Sequence, residues 1–221
     1  MENDLTSDFL SQYDDSLYPV DLADRFEALE CLNCNQTGET LLIRDITCGK
    51  MFVAKCFYEG HPLYEAAEPE PLRALSHTGL PAFAEEFRGN GTRCVLREYI
   101  YGKTLFEKSA EAPFTDEDVR SVGIQLCGIL KYLHSQKPPV IHRDIKPQNI
   151  IIRDDGSLAL IDLGISRLFE AGVQEDTVLC GTQDFAPPEQ YGYMQTDSRS
   201  DIYSLGILLA WMMTGRARPI S

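Results

Sequence analysis

The sequence predicts an α+β protein in two parts, strand-rich up to about residue 100 and helix-rich beyond it. Three observations predict this. First, apolar runs rich in β-branched and aromatic residues fall early: "TLLIRD" (40–45), "MFVAKCF" (51–57) and "CVLREYI" (94–100). The turn residues "ITCGK" join the first two as a hairpin. Second, "DEDVRSVGIQLCGILKYLHS" (116–135) sets Val119, Val122, Leu126, Ile129, Leu130 and Leu133 at helical spacing, behind Thr115 as N-cap. Third, "SDIYSLGILLAWMMTG" (200–215) is apolar nearly all round, which predicts a buried helix.

The remaining elements follow in order. Residues 1–24 are polar and acidic and predict a short packed helix or a loose arm. The pattern is β-rich from Phe26 to Tyr58. Residues 62–76 are helical in pattern, but Pro69 and Pro71 predict a disturbed or shortened helix. Val140–Ile141 and Ile150–Ile152 are short apolar strands that would hold the loop between them rigidly.

Composition narrows the function. With 221 residues, 43% of them hydrophobic, the chain can bury a substantial core. Twenty basic against 34 acidic residues give a net charge of −14. Such a surface repels phosphate backbones and anionic lipid, which argues against nucleic acid or a membrane surface as partner. Seven cysteines, an odd number, follow an acidic N-terminus with no secretory pattern. They predict reduced, mostly buried thiols in a cytoplasmic protein. The longest apolar run, Leu205 to Met213, is far shorter than the ~20 residues a membrane span requires. The oligomeric state is not encoded legibly.

Chemistry concentrates in "VIHRDIKPQNIII" (140–152) and "LALIDLGIS" (158–166). Phosphoryl transfer needs an oriented acceptor hydroxyl and balanced charge on phosphates and metal. Asp144 can accept the hydroxyl proton, Lys146 can neutralise charge on the transferred group, and Asn149 can give a neutral oxygen to Mg²⁺. Asp162 ends an apolar strand beside Gly164 and can hold Mg²⁺ across phosphates.

With these residues in this order, the sequence resembles the eukaryotic-type serine/threonine protein kinase family. "HRDIKPQN" looks like its catalytic loop and "DLG" like its metal-binding motif. The bacterial members are the most similar in texture. The resemblance implies a bilobal protein-kinase-like fold: an acidic extension (1–25), a small β-rich N-lobe (26–98) and a helix-rich C-lobe (99–221) lacking its last helices. It implies ATP and Mg²⁺, and a protein substrate with a Ser or Thr acceptor. Lys55 would bind the α- and β-phosphates beside Ala54, with Glu68 as its helix partner and Glu65 and Glu70 as the alternatives. Glu98 and Ile100 would meet adenine through their backbones, with Arg97 as gatekeeper. Thr182 in "CGTQDFAPPEQYG" would contact the catalytic loop. Asp201 would hydrogen-bond that loop's backbone, and Glu189 would seek an arginine. Arg143 before Asp144 implies control by activation-segment phosphorylation, with Thr177 the expected site.

The family's G-x-G-x-x-G falls on "NCNQTG" (33–38), followed by Thr40. Asn33 and Asn35 replace the first two glycines, and Gly38 remains. Asparagine tolerates left-handed angles, so the turn can form, with weaker access to phosphates. Cys31 and Cys34 then lie along a hairpin, and no second Cys/His pair at common zinc spacing accompanies them. The alternative function is a non-catalytic kinase-like module that binds nucleotide or a partner; a small-molecule phosphotransferase ranks last.

Overall fold

A computed structural model describes residues 13–35, 38–61, 64, 70–163, 167–168, 184–191 and 196–215. The chain divides into two compact units. One comprises Met1–Leu75 with Ala82–Tyr99, the other Ser76–Pro81 with Ile100–Ser221.

The first unit is built on one antiparallel sheet. Its strands are β1 (Phe26–Asn35), β2 (Gly38–Asp45), β3 (Met51–Tyr58), β4 (Phe83–Gly89) and β5 (Thr92–Glu98), ordered β1-β2-β3-β5-β4. The "ITCGK" turn forms as expected. Asp45 Oδ1 accepts from the Thr47 and Cys48 backbones, and Gly49 takes φ +72°. The sequence reading missed β4. Its signal was Asn90–Gly91, both left-handed, at φ +52° and +73°. That pair closes a two-residue hairpin whose twist suits antiparallel strands.

One sheet face packs Leu41, Ile43, Ala54, Cys56 and Leu96 against Tyr18 and Leu22. Those two come from the N-terminal segment, Tyr18 just after a 3-10 turn (Asp15–Leu17) and Leu22 in the short helix α1 (Val20–Ala23). The segment is tied down by Asn90 Nδ2 donating to the Tyr18 carbonyl (2.8 Å) and Thr92 Oγ1 to that of Leu17 (2.7 Å). Of the predicted helix at 62–76, α2 (Glu70–Arg73) is described.

The other face carries an ion-pair cluster. Arg93 on β5, 3% exposed, grips Glu86 on β4 through Nε (3.0 Å) and Nη2 (3.1 Å). Arg73 and Arg88 join the same carboxylate at 2.7 and 2.9 Å. Burial alone would raise the Glu86 carboxyl, but the Arg93 and Arg88 hydrogen bonds and the arginine charges outweigh it and hold it at about 2. Its folded value lies below its unfolded one, so the stabilisation is complete above ~4.5 and is lost as pH falls towards 2. Glu86→Gln is expected to cost about 2 kcal/mol at pH 7 and to flatten the acid limb of stability. Urea unfolding between pH 7 and pH 3 checks it: parallel curves for variant and wild type would refute the assignment.

The second unit is mainly helical: α3 (Leu105–Glu111), α4 (Asp116–His134) and α5 (Ser198–Thr214). Each begins with a reciprocal capping box, Thr104/Glu107, Thr115/Asp118 and Asp197/Ser200. Helix α4 buries the expected stripe of Val122, Leu126, Ile129, Leu130 and Leu133. Helix α5 departs from expectation. Leu205, Leu208 and Met212 are buried, yet Ile202, Tyr203 and Met213 are exposed. An all-apolar sequence marks no outer face, so burial on one side only was not legible. Two small sheets complete the unit: β6 (Lys103–Thr104) with β8 (Ile150–Ile152) and β9 (Leu158–Leu160), and β7 (Val140–Ile141) with β10 (Arg167–Leu168).

Segment Ser76–Pro81 is drawn into this unit by specific bonds. Ser76 N donates to Tyr132 Oη (2.8 Å), Arg153 Nη2 to the Thr78 carbonyl (2.8 Å), and Leu160 N to that of Gly79 (2.9 Å). The cysteines also differ from expectation: Cys56 and Cys94 are buried and Cys31 is half-buried, but Cys34, Cys48 and Cys127 are exposed.

Candidate active site

In the second unit the loop between β7 and β8 converges on one carboxylate. Asp201, fully buried on α5, accepts from the backbone N–H of His142 (Oδ2, 2.9 Å) and of Arg143 (Oδ1, 2.9 Å). His134 Nε2 on α4 meets Oδ2 at 2.8 Å. The buried carboxyl group is therefore fully hydrogen-bonded, as its burial demands. Arg143 takes φ +73°, a left-handed angle unfavourable for a long side chain. Its carbonyl accepts from buried Gln190 at 2.7 Å.

The bent loop presents its polar side chains together. Asp144 Oδ2 lies 2.7 Å from Lys146 Nζ. Asn149 Nδ2 donates to Asp144 Oδ2 and to the Asp144 carbonyl, each at 2.8 Å. The loop is then stitched to the strand end that carries Asp162. Ile161 N donates to the Asn149 carbonyl (2.8 Å), and its own carbonyl meets His142 Nε2 (3.1 Å). The Asp144 N–H faces His142 Nδ1 at 3.3 Å, so that nitrogen accepts and Nε2 carries the proton. Asp162 follows at φ +63°. These contacts bring Asp144, Lys146 and Asn149 into one cluster and anchor Asp162 beside it.

The donor set suits a hard divalent cation. Both Asn149 amide protons point at Asp144, which leaves its carbonyl oxygen as the donor to a metal. Asp162 carries a charged oxygen donor, and oxygen donors are what Mg²⁺ selects.

The first unit aligns a second group of candidates. Asn33, Thr40 and Lys55 stand in one row across β1, β2 and β3. Alternation along a strand puts them on one face. The phenyl ring of Phe57 lies tilted against His61 nearby, at 5.1 Å between ring centroids. Burial, and then the Lys55 charge, lower the His61 pKa, so this imidazole lies within the field of Lys55.

Two expectations need correction here. Ala54 adjoins Lys55 and therefore faces the opposite side, fully buried with Tyr18 and Leu22. Val53, two residues before Lys55, shares its face instead. Asn33 lies in extended strand β1, and left-handed angles among described non-glycine residues occur only at Asn90, Arg143 and Asp162. Gly38 is required for space: a Cβ there would sit 2.3 Å from the Cys56 carbonyl oxygen on β3. Asn35 pairs with Gly38 in the same hairpin.

Glu98 N–H donates to the Ala82 carbonyl at 2.9 Å, and Ile100 is buried. Arg97 lies opposite Val53, with its guanidinium 5.9 Å from the Phe83 ring centroid. Glu189 accepts from Ser200 Oγ at 2.7 Å. Glu68, Gly164, Thr177 and Thr182 lie outside the described residues.

A five-stranded antiparallel sheet followed by a helical unit, with this Asp–Lys–Asn loop, is the make-up of a protein-kinase-like domain. The comparisons agree. The family model for the protein kinase domain matches residues 35–219. Sperm motility kinase Z of Mus musculus is 29% identical over 86% of this chain and 38% of its own length. Serine/threonine-protein kinase PknA of Nostoc sp. is 31% identical over 88% of this chain and 38% of its own. RAC-beta serine/threonine-protein kinase of Homo sapiens is 27% identical over 86% and 41%. The chain belongs to the eukaryotic-type serine/threonine protein kinase family, whose members use ATP and Mg²⁺. It spans between 38% and 41% of the length of these three relatives.

Proposed function

We propose that the chain is the catalytic region of a protein kinase that transfers the γ-phosphoryl group of ATP to Ser or Thr hydroxyls of a protein. One observation carries this reading: the Asp144 carboxylate is held between Lys146 and Asn149 on a loop whose backbone Asp201 clamps. In this reading residues 26–98 and 99–221 are the two lobes. Asp144 accepts the proton of the acceptor hydroxyl. Lys146 offsets charge on the transferred group. Lys55 draws the α- and β-phosphates, and the Glu98 and Ile100 backbones receive adenine. Asn149 and Asp162 hold Mg²⁺, which supplies charge neutralisation on the phosphates.

The net charge of −14 favours a basic protein segment as substrate over nucleic acid. No described helix is long and apolar enough to cross a membrane, and we place the protein in the cytoplasm. Every charged catalytic position holds a competent side chain, which favours this reading over a nucleotide-binding module without turnover.

The test is transfer of label from γ-labelled ATP to a generic basic substrate with Mg²⁺, beside Asp162→Ala. Wild type is expected to incorporate label and the variant to lose it. Equal incorporation in both, or none from a folded wild type, would sink the proposal. A second prediction concerns the hairpin of β1 and β2. Asn33 shares a row with Lys55, so its side chain occupies space that a glycine would leave to the backbone and a phosphate. Asn33→Gly with Asn35→Gly is expected to tighten ATP binding about 3- to 10-fold, measured by calorimetry. An unchanged Kd would count against the alignment.

A further inference from the structure

The sheet face opposite Lys55 carries four cysteines. On β1 a bulge between Cys31 and Asn33 turns both Cys31 and Cys34 to that face, opposite Leu41 and Glu39. Cys56 on β3 and Cys94 on β5 are direct register partners. Their Sγ atoms stand 2.7 Å apart, against ~2.0 Å in a disulfide bond. They are 1% and 0% exposed. Residues directly opposed in antiparallel strands have Cα atoms about 4.5–5.5 Å apart, inside the ~4.4–6.8 Å that a disulfide spans. The ladder therefore presets both sulfurs, and closing the bond requires little backbone movement.

We propose that Cys56 and Cys94 form a reversible intrachain disulfide, a modification site made by exchange with a low-molecular-weight disulfide, RSSR. The thiolate of one cysteine attacks RSSR; a protein–S–SR bond forms, the RS–SR bond breaks, and RS⁻ leaves to take up the released proton. The second cysteine then attacks the protein sulfur of that mixed disulfide, and the second RSH departs. Two protein thiols lose two electrons and two protons, and RSSR is reduced to two thiols. The product ties the strand bearing Lys55 to its neighbour.

The site is guarded. Burial first, then the hydrogen bond with Cys94, holds the Cys56 thiol well above its usual pKa. The Glu39 carboxylate, opposite Cys56 on β2 and 8% exposed, adds to this by opposing a thiolate. Tyr18 caps that carboxylate with its hydroxyl, so the N-terminal segment covers the pair. Exchange is accordingly slow while the segment is seated and speeds up when it lifts.

The test treats the full chain with oxidised glutathione, unfolds it in N-ethylmaleimide and maps the peptides. A Cys56–Cys94 cross-link is expected, with a Tm rise of roughly 5 °C or more, since the bond closes a long loop. Dithiothreitol should reverse both. Cys56→Ser and Cys94→Ser should each abolish them, and Tyr18→Phe should speed cross-linking several-fold. Wild type compared with and without dithiothreitol carries the result even if a serine variant fails to fold. Full alkylation of Cys56 and Cys94 after glutathione treatment overturns the proposal. So does a Cys31–Cys34 bond, or glutathione on Cys34, as the sole product.

Discussion

Asp144→Asn is expected to lower kcat by about 10²–10⁴-fold while the chain stays folded. Asparagine has the shape of aspartate and keeps an oxygen to receive Lys146 Nζ, now 2.7 Å away, and Asn149 Nδ2, now 2.8 Å away. The loop's backbone anchors are untouched, because they run from His142 and Arg143 to Asp201. What disappears is basicity: an amide oxygen cannot accept the proton of an acceptor hydroxyl. The two measurements are single-turnover transfer of the γ-phosphoryl group and a thermal melt. The melt is expected to move by less than about 3 °C, within the range of a small local change. A variant with near-wild-type turnover would remove Asp144 from the role of base. One that unfolds instead would mean its carboxylate is chiefly structural.

Asp201→Ala is expected to act the opposite way, costing about 3–5 kcal/mol of stability, with activity falling as a consequence. The substitution strands two buried N–H groups, those of His142 and Arg143, and removes the partner of His134. It also releases the left-handed turn at Arg143, which those bonds hold at φ +73°. Asp201→Asn retains one acceptor oxygen and should lose roughly half as much. Urea denaturation of the two variants beside wild type decides this. A cost below ~1 kcal/mol for Asp201→Ala would show that water or a neighbour replaces the carboxylate.

These two residues show what the sequence made legible. Asp144, Lys146 and Asn149 lie within six positions, so their pattern displays the site before any fold is known. Asp201 is 59 residues from His142 and became visible only through family resemblance. Helix α4 was legible because its apolar stripe is periodic and its N-cap is local. The errors came from geometry that one strand does not reveal alone. Ala54 was assigned beside Lys55 by adjacency, whereas the two-residue period of a strand separates them. The bulge after Cys31 depends on how β1 pairs with β2, and nothing in "CLNC" announces it. The reason for Gly38 sits on another strand, in the Cys56 carbonyl. The cluster around Glu86 likewise draws arginines from α2, β4 and β5.

The strap Ser76–Pro81 bears on how the protein could be dissected. It leaves the first unit after Leu75, bonds to Tyr132, Arg153 and Leu160, and returns to the first unit at Ala82. A single cut after Tyr99 would therefore yield an N-terminal fragment with a six-residue graft whose partners are gone. The complementary fragment would have an open seat beside α4. Added back as a separate peptide, residues 76–81 would be too short to refill it against the entropy of ordering a free chain. The two halves of this kinase are best exchanged between relatives as an interleaved pair of segments, not as consecutive blocks.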